Sequence, residues 1–457
     1  MRATSSRLIV GSLREFSTVG VVSALAAAYG TVLICTSNIL SVLAEHNGGS
    51  AGLLLEIVSG VFILIALFVS GIVISGGVDT VIAGRRHQLR LLRLIGASGR
   101  QLRDGLTRAV AAVATAGAVA GMLTGLVGTW AVRVILVGRG TLPTGHYSVF
   151  PPLVVAAGVA VVLTAVVAAR VGTRTTLRNA AASQQIRSRI GAIRTTLALA
   201  IIAAGAALLA AAAVLGEQAS LSGFVVVFFG AATMSVGLML GAQRIIPAMV
   251  RLTGRVLGDS APSVVARKNA ISDPARTTRS VLGLFVGVTL VTTIAAGMSS
   301  LTRSVHTWEL TAGQAAETES VLRATTAVLL AMIAISVIIA AVGFVSTMSL
   351  TVIGRTREIG MLRAMGFTAT QVRSMIFRES LALSATAVVA GLLLGTLYGT
   401  VGSQSIIGSQ TSGIPLALPW AAIVAIVVGT LALAIVAALP PSRRAMSIPP
   451  VEALAVA

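Results

Sequence analysis

The run Gly354-Arg-Thr-Arg-Glu-Ile-Gly-Met-Leu-Arg-Ala-Met-Gly366 holds the side chains with which one protein docks on another. Ile359, Leu362 and Met365 recur at helical spacing, with Arg355, Arg357 and Arg363 close by and Glu358 as the acidic group among them. A short amphipathic helix of this kind can lay its apolar side into a groove on a partner. It can equally rest on a membrane surface, each arginine gaining about 1 kcal/mol from anionic headgroups. Glu358 likewise has two readings. It can pair with Arg355 or Arg363 on its own helix, worth about 0.3–0.5 kcal/mol when exposed, or it can meet an arginine of a partner.

Other chemistries find little support. A phosphate-cradling loop ends in Gly-Lys-Ser/Thr, whereas the sole lysine, Lys268, stands between Arg267 and Asn269. ATP hydrolysis by this chain is therefore not expected. His87 with His146, and His306 with Glu309, lack the further ligands that a metal site needs. The single cysteine, Cys35, excludes an intrachain disulfide and reads as a small apolar packing residue.

The elements that would carry the docking segment are set by composition. Of 457 residues, 56% are hydrophobic and 11% charged, and the mean hydropathy is +0.95. Lipid is the expected solvent for most of the chain. From Leu381 to Ser442 there is no Asp, Glu, Lys, Arg or His, enough length for two crossings at about 20 residues each. Apolar windows predict ten spans near 17–44, 51–78, 109–137, 150–169, 195–216, 221–243, 281–300, 325–350, 380–402 and 418–440. The first follows Arg2, Arg7 and Arg14 and is too long for the core of a signal peptide, so it reads as an uncleaved span.

The net charge of +20 does not point to nucleic acid, because the arginines form short clusters between apolar runs rather than one solvated basic face. They mark topology instead. With both termini in the cytoplasm, all but Arg133, Arg139, Arg303 and Arg323 of the 34 basic residues fall on the inner side. The outer loops are short, and that from Leu301 to Ala324 carries most of their polar groups. Glu56 then falls in the outer part of span two and Glu379 at the inner end of span nine, both candidates for contact with substrate or for gating. For Glu56, solvation at the interface is the competing reading.

The chain repeats itself at a fixed offset, without a gap. Gly84-Arg85 aligns with Gly354-Arg355, Leu92-Arg93 with Leu362-Arg363, Gly96 with Gly366, Gln101 with Gln371, and Gly121 and Gly125 with Gly391 and Gly395. Both copies start at the inner end of a span, which makes the repeat parallel. Arg85, Leu89, Leu92, Arg93 and Gly96 are thus the first-copy counterparts of the docking segment. The glycines form small-residue faces on spans three and nine, suited to close helix contact or to sliding.

Gly354 to Gly366, with Gln371, Arg373 and Glu379 behind it, resembles the signature of the FtsX-like (MacB-type) ABC permeases. Pro441-Ser-Arg-Arg-Ala and Pro450-Val-Glu-Ala-Leu454 are similar to that family's closing motif, and Ala266-Arg-Lys-Asn-Ala with Asp273-Pro-Ala-Arg-Thr277 to the elbow before a module's first span. The resemblance implies an all-α membrane protein with two four-span modules, 1–178 and 263–457, joined by a hairpin at 179–262. It is similar to the ten-span permeases of bacitracin-resistance type, without their large extracellular domain.

The resemblance also implies a function. The two docking segments would be coupling helices for an ABC ATPase subunit, two copies per chain, which would hold the ATP and magnesium; this chain would bind no cofactor. The cargo expected is a hydrophobic, lipid-like or peptide substrate, exported or extracted from the plasma membrane. The alternative is mechanical signalling to an extracytoplasmic enzyme, lipoprotein or sensor. Arg85-Arg-His-Gln-Leu89 departs from the pattern of Arg355 to Ile359, and Ala109 stands where Glu379 stands, so the two halves are expected to differ in use.

Overall fold

The computed structural model describes residues 17–47, 98–140, 150–178, 184–218, 222–253, 260–305, 356–410 and 418–447, with a few isolated positions between them. Spans two and eight fall largely outside the described residues, as do Glu56, Arg85, Leu89, Leu92, Arg93, Gly96 and Arg355. The helices, numbered along the chain, are α1 (Ser17–Asn47), α2 (Gly99–Gly138), α3 (Leu153–Arg178), α4 (Gln184–Glu217), α5 (Ser222–Thr253), α6 (Ala261–Ser272), α7 (Pro274–Val305), α8 (Thr356–Ala364), α9 (Ala369–Ile407) and α10 (Trp420–Ser447). A 3₁₀ turn, Gly408–Gln410, follows α9. No strand occurs among the described residues.

Seven of these helices, α1 to α5, α7 and α9, are long and apolar enough to cross a membrane. In α10, where the tenth span is expected, the described apolar stretch is shorter, Trp420–Leu433. In lipid a helix satisfies its own backbone groups, which is why these apolar runs take that form. Several threonines of the spans follow the same rule. Thr289 donates to the Phe285 carbonyl, Thr293 to that of Thr289 and Thr386 to that of Ala382, so none of these hydroxyls is left bare.

The chain falls into two compact units, residues 1–193 with 307–339 and residues 194–306 with 340–457. In the first, α2 packs on α1 and α3. Its 40 residues extend about 60 Å, twice the roughly 30 Å of a hydrocarbon core, so the charged first turns, with Arg100, Arg103, Asp104 and Arg108, are not needed to cross it. Leu106, Ala109, Val110, Ala114 and Ala118 form one buried stripe against Val19, Ala26 and Ala27 of α1 and Val161, Ala165 and Ala169 of α3. Small residues bring the backbones together. A Cβ on Gly117 would overlap the Gly20 carbonyl oxygen and one on Gly121 that of Ala24, while at Gly125 it would fall 2.9 Å from that of Ala28.

In the second unit α9 is the hub, packing on α5, α6, α7, α8 and α10. Its glycines repeat the device. Gly391 faces Val288 and Thr289 of α7, Gly395 faces Thr289 and Thr292, and Gly399 faces Thr293 and Gly297. The contacts ascend together along both helices, so α7 and α9 run parallel, as α1 and α2 do. Residues 194–217 of α4 run antiparallel to α5, with Gly205 on Met234, Gly230 on Leu209 and Gly237 on Ile202. Arg194 donates to the Leu240 carbonyl at 3.1 Å, and Leu209, Ala212 and Val227 pack with Tyr398 and Val401 of α9.

Candidate functional site

Of the run Gly354 to Gly366, residues Thr356–Ala364 form α8, nine residues long. Its end is built by hydrogen bonds: the Gly366 amide donates to the Arg363 carbonyl and the Phe367 amide to that of Leu362. This six-to-one and five-to-two pairing is a Schellman stop. It requires a left-handed residue, and Gly366 sits at φ +96°, where a side chain would be strained. Two residues on, Thr368 caps α9: its hydroxyl accepts from the Gln371 amide while the Gln371 side chain accepts from the Thr368 amide. Gly366, Thr368 and Gln371 therefore make a corner of fixed geometry between α8 and α9.

The first repeat carries the same cap. Ser98 accepts from the Gln101 amide at 3.2 Å and donates its own amide to Gln101 at 3.1 Å. Ser98 and Gln101 are the repeat counterparts of Thr368 and Gln371, and the long helices begin in the same register, at Gly99 and Ala369. Gly366 and Gln371 stand out in sequence as signature residues, but their structural role emerges only here. The spacing Ser/Thr-x-x-Gln behind a glycine is the signal by which sequence could have shown the corner.

Burial divides α8. Ile359 is 3% exposed and belongs to the core with Val372, Met375 and Ile376 of α9 and Ala266 and Ala270 of α6; Leu362 and Phe367 pack against the same cluster. Ile359 and Leu362, expected to face a partner, thus pack within their own chain. The apolar groups left exposed are Met361 at 51% and Met365 at 66%, four residues apart and so on one face. Glu358 is exposed and Arg363 half-buried. Helical spacing alone does not single out Met361, because α8 and the turn after it carry an inward and an outward apolar pair at nearly the same interval. Its repeat counterpart is Leu91, also exposed, at 46%.

Behind the corner, Arg378 anchors α9 to the start of α6. Its Nη1 donates to Ser260 Oγ at 2.8 Å and to Ser263 Oγ, and its Nε donates to Ser374 Oγ at 3.2 Å. Asn269 of α6 reaches Met375 Sδ at 3.9 Å. Glu379, the next residue, is 3% exposed, so the structure does not leave it on an open surface. Among the described residues no three of His, Cys, Asp and Glu converge as metal ligands.

The family model for the FtsX-like permease C-terminal region matches residues 60–178 and 330–450. The starts of the two matches, 60 and 330, are related by the same offset that carries Gly84 onto Gly354 and Ser98 onto Thr368. The chain is similar to the macrolide export ATP-binding/permease protein MacB of Nitrobacter winogradskyi, 36% identical over 134 residues, which are 29% of this chain and 20% of that protein. It is also similar to an uncharacterized ABC transporter permease of Methanocaldococcus jannaschii, 29% identical over 146 residues, 32% of this chain and 37% of the relative. A third relative, the uncharacterized ABC transporter permease YknZ of Bacillus subtilis, is 28% identical over 120 residues, 26% of this chain and 29% of its own. The matched region spans from a fifth to just over a third of the length of these relatives. Two family matches that together take in more than half of the residues, on the two copies of a repeat whose helices are apolar enough to cross a membrane, establish that this chain belongs to the FtsX-like permease family.

Proposed function

We propose that this chain is the membrane subunit of an ABC transporter of the plasma membrane, with both termini cytoplasmic and two four-span modules joined by a hairpin. A separate ATPase, two copies per chain, binds the ATP and magnesium and drives export or membrane extraction of a hydrophobic, lipid-like or peptide cargo. The observation that carries this reading is the exposed pair Met361, on α8, and Met365, in the turn that ends it, joined through a capped corner to α9. Methionine is apolar and adaptable and suits a groove on a partner. A push on α8 passes through Gly366 and Thr368 into α9, whose 39 residues reach about 58 Å. No soft loop intervenes to absorb the displacement.

The test is co-purification with the ABC ATPase subunit that this reading requires. Met361→Glu with Met365→Glu puts two charges into the apolar contact, and the loss of affinity expected is at least about a hundredfold. Leu362→Glu is the control: it strikes the core of the corner, so it is expected to lower the yield of folded protein on detergent gel filtration. Retention of the ATPase by a folded Met361→Glu, Met365→Glu variant at the parent level would remove the docking assignment.

A further inference from the structure

Within the second unit, α5, α7 and α9 do not close completely. They leave a cavity of about 200 Å³ lined by Ala242, Ile246, Val281, Phe285, Ala390 and Leu393 among others. Its polar lining residue is Thr386, whose hydroxyl already donates to the Ala382 carbonyl and pairs with Thr253 Oγ1 at 2.8 Å. No polar side chain of the described lining is left to hold water or a polar ligand. Apolar cavities of about 150 Å³ stay dry and take a small hydrocarbon such as benzene.

The depth of the cavity says what hydrocarbon is at hand. Glu379 is the last charged residue of α9, and none follows until Arg443, while α5 carries exposed Arg244 and Arg251 beside the lining residues Ile245 and Met249, so this end of the cavity lies at the edge of the hydrocarbon. Thr386, Ala390 and Leu394 lie roughly 10–22 Å along α9 from Glu379, so the cavity runs from the membrane edge at the α8–α9 corner toward the midplane of a hydrocarbon core roughly 30 Å thick. Leu393, at the rim, is 65% exposed, so the cavity meets the surroundings at its side. Among hydrocarbon chains, an empty pocket of this size forfeits dispersion contacts on every wall. Met239 and Met249 in the lining add a surface that adapts to a flexible guest.

We propose that this cavity is a binding site for a segment of one acyl chain of a membrane phospholipid, entering sideways past Leu393. The binding itself needs no ATPase; only its use as a station for cargo rests on the transport reading above. The probe is a phospholipid with a diazirine at the end of one acyl chain, mixed into vesicles of phosphatidylethanolamine and phosphatidylglycerol holding the full chain. After photolysis and digestion, label is expected on peptides with Ala242 and Val281, which are 3% and 1% exposed, as well as on the outward-facing Val159 and Leu163 of α3. Ala390→Phe fills the cavity and is expected to cut the label at Ala242 and Val281 about tenfold relative to α3. Ala242→Leu, a smaller filling, does the same if the larger ring unfolds the chain on gel filtration.

Label confined to exposed positions, or label at Ala242 and Val281 that neither filling reduces, overturns the site. Loss of the ATPase-docking result with labelling intact would sink the transport reading and leave the lipid site standing.

Discussion

α2 and α9 are two castings of one helix, and they differ where α9 carries polar groups at positions that are apolar in α2. Both start from a Ser/Thr–Gln cap, run for 40 and 39 residues and meet a parallel neighbour through glycines. On α2 the stripe after the cap reads Leu102, Leu106, Ala109, Val110 and Ala114, all buried. On α9 the same positions are Val372, Ile376, Glu379, Ser380 and Ser384, also buried. Arg108 is exposed, whereas its counterpart Arg378 is tied to α6. Burial has been kept while hydrophobicity has not. The frame of the repeat is set by the caps and the glycines, and the stripe between them is free to diverge.

The largest effect expected tests the shared frame. A Cβ at Gly121 meets the backbone of Ala24, which cannot turn aside as a side chain can. Gly121→Leu is therefore expected to cost more than the roughly 3 kcal/mol at which ordinary overpacking ends and to abolish a monodisperse peak in detergent. Gly128, on the same helix, has nothing within 4 Å of its missing Cβ, and Gly128→Leu is expected to behave as the parent. Equal tolerance at both positions would show that close approach of α1 and α2 is not what holds the first unit.

A middle-sized effect tests the divergence at Arg378. Removing a guanidinium that bridges Ser260, Ser263 and Ser374 leaves hydrogen bonds to a charged group unmade, worth about 1.5 kcal/mol. Arg378→Ala is expected to lower the midpoint of thermal unfolding in detergent, and Arg108→Ala to leave it unchanged. A matching drop at Arg108 would mean that the clamp is common to both halves and that the asymmetry is false.

Much of this was legible in sequence because it rests on short-range rules. Seven of the ten apolar runs coincide with helices long and apolar enough to cross a membrane, and the offset of the repeat reappears in the caps, in Gly121 with Gly391 and in Gly125 with Gly395. Family membership followed from the same residues. Which way α8 faces was not legible. Ile359 and Leu362 differ from Met361 and Met365 only by where α6 and α9 pack, and α6 lies far from α8 along the chain. The cavity beside Ala390 was hidden for the same reason, since it arises from how three helices fail to close rather than from any motif.

The smallest effect expected has the opposite sign and bears on the stripe itself. Ser384 buries a hydroxyl for which the structure provides no acceptor, at the position where α2 has Ala114. A buried hydroxyl left unpaired costs about 1 kcal/mol or slightly more, and alanine at the site removes that cost while leaving a gap of one oxygen atom. Ser384→Ala is therefore expected to raise the thermal midpoint of the purified chain modestly, and Ala114→Ser to lower it, making each half resemble the other. If the chain assembles with an ATPase as proposed, the choice between stability and motion can be read from that complex. If the polar stripe serves movement of α9 against α7, Ser384→Ala slows ATP-driven turnover while it raises the midpoint. A raised midpoint with unchanged turnover would make the serine a neutral drift of the second copy. A lowered midpoint would show that the hydroxyl has a partner after all, and the contrast between the two stripes would shrink to Glu379 and Arg378.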